Sequence, residues 1–263
     1  MTSALNSESD GYRAIGEWYD AEHDAVGEDV ALFLQLAEIV GDPILELGCG
    51  SGRILAPLAA AGHRVVGVDR SATMVGRARR RLDEAGSSEA ALVLGEMDRL
   101  PSDLAGRHGL VILSHNTLLH AISSESQRAV LTAARAALDP RGMLVLDLIN
   151  PVADLHQPED GRVTIEGRWP TGDDGSVSKF SSRTVDQATQ RVSTDIWYDH
   201  VDRAGAVTRT ATRLELRFVT AAELMLQLEL CGFVEPQLYG SYDLDLYTEI
   251  SRRMIVTAEA TAS

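Results

Sequence analysis

Apolar residues along this chain follow two rhythms. Between residues 12 and 40 they recur at helical spacing, with Val30, Phe33, Leu36, Ala37 and Val40 on one stripe and a break near Gly27, so two helices are predicted ahead of the first strand. From residue 43 onward, short apolar runs of strand length (PILELG, RVVGVD, ALVLGE, GLVILSH, GMLVLDL) alternate with the helical stretches SGRILAPLAAAG, SATMVGRARRRLDEAG and SESQRAVLTAARAAL. Alternation of this kind predicts parallel strands joined by right-handed helical crossovers, an α/β open sheet.

The rhythm changes after Pro151. RVTIEGRW, VSKFSSRTV, QRVSTDIWYDHV and VTRTATRLELRFV are β-rich and separated by the turn signals GDDG, DQAT and DRAG, so residues 161 to 219 read as an antiparallel meander. Thr220 is placed to cap a helix, TAAELMLQLELCG, that carries Leu224, Leu228 and Cys231 on one face and ends at Gly232. FVEPQLYG and RRMIVTAEA follow as two strands whose connection is too short for a helical crossover, so the last strand runs antiparallel to its neighbours. The predicted architecture is a Rossmann-like, mostly parallel sheet of seven strands formed by residues 1–150 and 220–263, with 151–219 as an inserted β-rich module and 1–10 disordered.

Composition narrows the function classes. A net charge of −15 and a pI near 4.8 argue against nucleic acid or an anionic membrane as partner, since both reward clustered Lys and Arg. Cys49 and Cys231 are the only cysteines, and one sits inside a glycine-rich loop, which argues against a disulfide framework or a zinc site and fits a reducing, cytoplasmic setting. MTSALNSESD has neither the basic nor the apolar region of an export signal, and no apolar run approaches the roughly 20 residues that span a bilayer.

The chemistry concentrates in ILELGCGSGRI, where Gly48, Gly50, Ser51 and Gly52 follow the first strand and Glu46 precedes them. In an open α/β sheet the ligand sits beyond the carboxyl ends of the strands, where glycines bring backbone amides close to it. The spacing is ExGxGxG, with Arg53 where a dinucleotide fingerprint has its last glycine. Lys179 is the sole lysine, which excludes a GK-type phosphate loop. Asp69, at the end of the second strand, stands where an acid takes both hydroxyls of a ribose. Two carboxylates beside the loop suit a nucleoside that bears an ammonium and no phosphate.

ELGCGSGR, VVGVDRSATMV, LVLGEMDRL, the stretch VILSHNTLLH and LDPRGMLVLDL resemble the successive motifs of the class I S-adenosylmethionine-dependent methyltransferases. The resemblance implies that Glu46 orders the loop near the amino end of the methionine moiety and that Gly48, Cys49 and Gly50 admit it. Asp69, followed by Arg70, would hold the ribose, and Met74 and Met97 would flank the adenine. Either Glu96 or Asp98 would take the adenine amino group. Ser114 closes the cofactor set, and Tyr19, with Asp20, resembles the lid helix of small-molecule methyltransferases. S-adenosylhomocysteine would be the product.

Methyl transfer from a sulfonium is an in-line displacement in which alignment supplies much of the rate, so a base is optional. His115 and His120, after the fourth strand, are candidates should a hydroxyl acceptor need one, and Asn116 lies between them. The ends of strands four and five offer only Asp147 and Asn150, too few oxygen ligands for a metal-assisted mechanism, so no metal is expected. By topology the β-rich insertion lies over the acceptor mouth and resembles caps used for acceptor specificity or homodimerisation. Trp197, Tyr198, His200, Arg213 and Arg217 are its candidate contacts with a small-molecule acceptor, and strand alternation sends Trp197 and Tyr198 to opposite faces. Two other readings are a non-catalytic S-adenosylmethionine-binding regulator and a nicotinamide-dependent oxidoreductase. The missing third glycine and the reversed last strand speak against the latter.

Overall fold

Ten helix and strand segments predicted from the first 150 residues fall into place as one alternating series. In the computed structural model, which describes residues 11–23, 27–87, 89–154, 161–172 and 175–260, helices α1 (Tyr12–His23) and α2 (Glu28–Val40) come first. They are followed by β1 (Ile44–Leu47), α3 (Leu55–Ala60), β2 (Val65–Asp69), α4 (Ala72–Glu84), β3 (Ala90–Leu94), β4 (His108–Leu113), α5 (Ser124–Ala137) and β5 (Leu138–Ile149). The expectation that residues 1–10 are disordered lies outside the described residues.

Side-chain caps fix where the helices begin. Ser71 accepts the amide of Met74 at the start of α4, and Ser123 and Ser126 form a reciprocal capping box on α5. After the one-turn helix α6 (Pro151–Asp154) come the meander strands β6 (Val163–Pro170), β7 (Ser176–Asp186), β8 (Arg191–Val201) and β9 (Val207–Arg217). Thr220 caps α7 (Ala221–Leu230) through the Glu223 amide, and Gly232, at φ +81°, follows its end in the left-handed conformation that closes helices. Strands β10 (Phe233–Tyr239) and β11 (Arg253–Ala260) complete the regular structure among the described residues.

The main sheet has the order β10-β11-β5-β4-β1-β2-β3, parallel except for β11, which runs antiparallel to both β5 and β10. The expected reversal of the last strand is therefore present. The chain builds from β1 through β2 to β3 in one direction and then returns to place β4 on the other side of β1, so the order switches between β1 and β4. A crevice outside the carboxyl ends of these two strands is the position such sheets use for ligands. Beneath it, β1 and β4 are buried throughout and β5 from Leu144 to Leu148, with Phe33 and Leu36 of α2 and Leu55 and Leu58 of α3 packed on them.

Close contacts divide the chain into two compact units: α1 with β6–β9 as far as Leu216, and everything from α2 to β5 joined to Arg217 onward. One element thus falls elsewhere than the sequence-based division places it, because α1 packs on the meander. In the sheet β6-β7-β8-β9, alternation brings Val177, Ile196 and Tyr198 to one face, where they pack against Ile15. The lone lysine lies among them. Lys179 Nζ sits 2.6 Å from both Glu22 of α1 and Glu166 of β6, and the Tyr198 hydroxyl donates to Glu22 at 2.8 Å. Burial works against the ammonium, but the two glutamates more than offset it and hold its pKa above the usual value.

Replacing Lys179 by Met should keep the volume but leave Glu22 and Glu166 facing each other without a cation. We expect a loss of about 2–3 kcal/mol in urea unfolding, less than for a fully buried pair because Glu166 retains some solvent. A loss under about 1 kcal/mol would mean that the network does not anchor α1.

Candidate active site

Backbone shape defines the loop after β1. Gly48, Gly50 and Gly52 have φ of +68°, +54° and +81°, a region open chiefly to glycine. A Cβ on Gly48 would collide with the Thr117 methyl, and one on Gly52 would lie 3.1 Å from Ala78 of α4. The amides of Gly48 and Cys49 both donate to the Val68 carbonyl, at 2.7 and 3.1 Å. Asp69 completes the turn: its Oδ2 accepts the Gly50 amide at 2.9 Å and its Oδ1 the Ser71 amide at 2.8 Å. One carboxylate therefore joins the β1 loop to the start of α4.

Glu46 is buried under this loop, at 1% exposure. Its Oε1 accepts the Ser114 hydroxyl at 3.0 Å, whereas Oε2 is buried without any hydrogen-bond partner, as is the Ser51 hydroxyl. Burial, opposed by the Ser114 hydrogen bond and the Arg53 charge, raises the Glu46 pKa to about 8. A buried carboxylate oxygen with no donor is costly unless a ligand supplies one. An ammonium group, such as the one S-adenosylmethionine carries, meets that need, so the residues present fit this cofactor. Cys49 is a buried thiol whose pKa is raised well above normal, first by burial and then by Glu46 and Asp69, which leaves it neutral packing against Gly67.

The end of β4 is tied down by buried ions that sequence reasoning misses. Asp29 of α2 and Arg53 form a bidentate pair. Asp147 near the end of β5 is clamped by the guanidinium of Arg253 on β11, and its Oδ2 accepts the His115 amide at 3.0 Å and the Tyr242 hydroxyl at 3.2 Å. Asp29, His115 and Asp147 bring possible metal ligands within 4.8 Å of one another. A cation there would compete with two guanidinium groups already on the carboxylates. His115 and Asn116 both have left-handed backbones, at φ +47° and +69°. His120 is pushed down to about 4 by burial and then by the Arg70 charge, so it is neutral at pH 7.

Of the adenine candidates, Met74 is buried, whereas Met97 is half-buried in the turn after β3 with Glu96 and Asp98, and Asp98 lies 3.7 Å from Arg99. The acceptor candidates scatter. Tyr198 is buried under α1, whereas Trp197 on the opposite face stacks on Phe180 and lies under Arg209. His200 stands 5.4 Å from Trp18 and Arg213 pairs with Asp195. Tyr19 stacks on His23 at 4.1 Å. Arg217 is buried in the main unit, its guanidinium held by Gln127 at 2.6 Å and Glu223 at 2.8 Å.

Residues 44–142 match the model of a methyltransferase domain. Over 220 residues the chain is 31% identical to the cypemycin N-terminal methyltransferase of a Streptomyces species, covering 83% of each. Two solved structures share the fold. An S-adenosylmethionine-dependent methyltransferase from Clostridium acetobutylicum is 16% identical, with a TM-score of 0.78 over 95% of this chain and 99% of that one. The sugar N-methyltransferase KedS8 from a Streptoalloteichus species is 19% identical, with a TM-score of 0.72 over 99% and 96%. The chain belongs to the class I S-adenosylmethionine-dependent methyltransferases. It is thus an enzyme that uses this cofactor. Among the described residues no helix is long and apolar enough to cross a membrane.

Glu46 makes a pH prediction with a definite sign. Its pKa is higher folded than unfolded, so the ligand-free fold favours the protonated acid, and the penalty for ionising it grows as pH rises from 4.5 through 8. Glu46→Gln should therefore match wild-type stability near pH 5 and exceed it by a few kcal/mol at pH 9, measured by urea unfolding across that range. Equal pH dependence of the two proteins would mean that Glu46 is ionised in the free enzyme.

Proposed function

We propose that this enzyme transfers a methyl group to a nitrogen or oxygen of a small-molecule acceptor, and that an amine nitrogen suits the site best. The observation that carries the cofactor half of this reading is Glu46, a buried carboxylate with a donorless oxygen directly under a glycine loop braced by Asp69. S-adenosylmethionine supplies a methyl group already activated on a sulfonium. Glu46 takes the cofactor's ammonium, Asp69 takes the ribose hydroxyls, and Glu96 or Asp98 takes the adenine amino group. Met74 and Met97 border the adenine. Arg70, Cys49 and Ser114 complete that environment.

Alignment then does most of the work, since a well-oriented pair of reactants can save about 7–11 kcal/mol. His115 and His120, which follow β4, would stand on the acceptor side with Asn116, whose side-chain oxygen is taken by the Ile149 amide. His120, with its basicity reduced to about 4, is a poor partner for a hydroxyl but no obstacle to a neutral amine, which needs no base before transfer. As the amine forms its C–N bond and the S–C bond breaks, its surplus proton can pass to His115 or to solvent. The relative named for N-terminal methylation supports nitrogen. No metal is required, because the two aspartates beneath the turn already carry arginine counter-charges.

The four-stranded unit with α1 completes the proposal as the acceptor-selecting module, and its face bearing Trp197 and Phe180, edged by Val163 and Ile165 at 56% and 67% exposure, suits assembly with a second copy. Trp197, Tyr198, His200 and Arg213 would act within that module. The acidic surface argues against nucleic acid and anionic membranes as partners and is compatible with a cytoplasmic location.

Three measurements test this reading. Incubation with S-adenosylmethionine and a panel of amines and alcohols should give products heavier by one methyl group among the amines; transfer to alcohols alone would overturn the nitrogen assignment. Asp69→Ala should weaken S-adenosylhomocysteine binding by about 1.5–3 kcal/mol, because charge-assisted hydrogen bonds to the ribose are lost. Unchanged affinity would place the ribose elsewhere. Replacing residues 161–216 by a short linker and trimming α1 should leave a core that binds S-adenosylhomocysteine but transfers nothing, whereas full activity would contradict the module's role.

A further inference from the structure

We propose that Asp147 is a positioning residue of the cofactor site, acting through the strained His115–Asn116 turn to set Ser114 against Glu46 and Thr117 against Gly48. The inference rests on the cofactor reading above but concerns a residue that touches neither the glycine loop nor any group assigned to the cofactor.

Two consecutive non-glycine residues in the left-handed region are uncommon, and such a conformation persists only where the surroundings over-determine it. Here Asp147 and its strand do so. The Asp147 carboxylate accepts the His115 amide, its backbone carbonyl accepts the Asn116 amide at 2.8 Å, and the Asn116 side-chain oxygen accepts the Ile149 amide at 2.7 Å. Residues 115 and 116 are thus sewn to β5 at three points. Asp147 cannot itself drift, because Arg253 binds one oxygen and the Tyr242 hydroxyl the other, and it is fully buried.

The residues flanking this turn meet the cofactor loop directly. Ser114 donates to Glu46 Oε1, fixing which carboxylate oxygen is left for a ligand, and the Thr117 methyl fills the space that a side chain at position 48 would need. A relaxed turn would therefore move Ser114 and Thr117 together and blunt both features. No residue of the glycine loop makes a corresponding bond to Asp147 among the hydrogen bonds described, so the influence runs through the turn.

Tyr242→Phe removes one hydroxyl from the clamp without changing any charge, and Asp147→Asn removes the anion. In the full-length protein, calorimetry should show the S-adenosylhomocysteine dissociation constant rising about fivefold for Tyr242→Phe and at least about tenfold for Asp147→Asn. Amide hydrogen exchange at 114–117 should accelerate in both. Leu82→Ala, a core truncation in α4 that removes no hydrogen bond of the turn or its clamp, should lower the melting temperature while leaving that affinity within about twofold of wild type. If Asp147→Asn fails to fold, Tyr242→Phe decides alone. Affinity within twofold of wild type in a folded Tyr242→Phe protein, unchanged exchange at the turn, or equal weakening by Leu82→Ala would overturn the proposal. Failure of the wild-type protein to bind S-adenosylhomocysteine would instead defeat the cofactor reading, while exchange at the turn would still report whether the clamp holds it.

Discussion

Asp69 reaches back from the end of β2 to hold the Gly50 amide while its other oxygen holds the amide of Ser71. That single carboxylate decides the shape of the ligand crevice, because it ties the loop after β1 to the cap of α4. Without it, three glycines in the left-handed region would be free to collapse toward other turn conformations. With this brace in place the loop is already shaped before a nucleoside arrives, and little ordering cost remains for binding to meet.

Within each unit, buried charges are paired in a consistent way. Asp29 is answered by Arg53, and Asp147 by Arg253. In the four-stranded unit Lys179 is answered by Glu22 and Glu166. Glu46 departs from this pattern: its one hydrogen-bonded oxygen faces Ser114, the other faces no donor, and the acid responds by keeping its proton to about pH 8. Structural carboxylates are paired because an unpaired one destabilises the fold. A lone unpaired one beside a glycine loop is therefore better explained by the ligand than by packing.

The alternating apolar runs made the main sheet and its reversed last strand legible, because strands buried on both faces leave a strong sequence signal. Ser71, Ser123 and Thr220 likewise announce their helices, since capping is local chemistry. The loop, Glu46 and Asp69 could be read from spacing within one βαβ unit. The partners of Asp147 could not. Arg253 and Tyr242 come from the far end of the chain, and Asp29 comes from a helix before β1, so only the folded sheet brings them to His115. Arg217 illustrates the same limit from the other side, for its charge looks available in sequence but serves Gln127 and Glu223. The attachment of helix α1 also escaped, because the contacts that hold it to the meander involve Glu22 and Lys179, which lie 157 residues apart.

The most direct test of the central claim, that the crevice between β1 and β4 is built for a phosphate-free nucleoside bearing an ammonium, is a calorimetric comparison of S-adenosylhomocysteine and NAD titrated into the wild-type protein under the same conditions. One site for S-adenosylhomocysteine with a dissociation constant in the micromolar range, and no heat from NAD at millimolar concentration, is the predicted result. Binding of NAD with equal or greater affinity would contradict it.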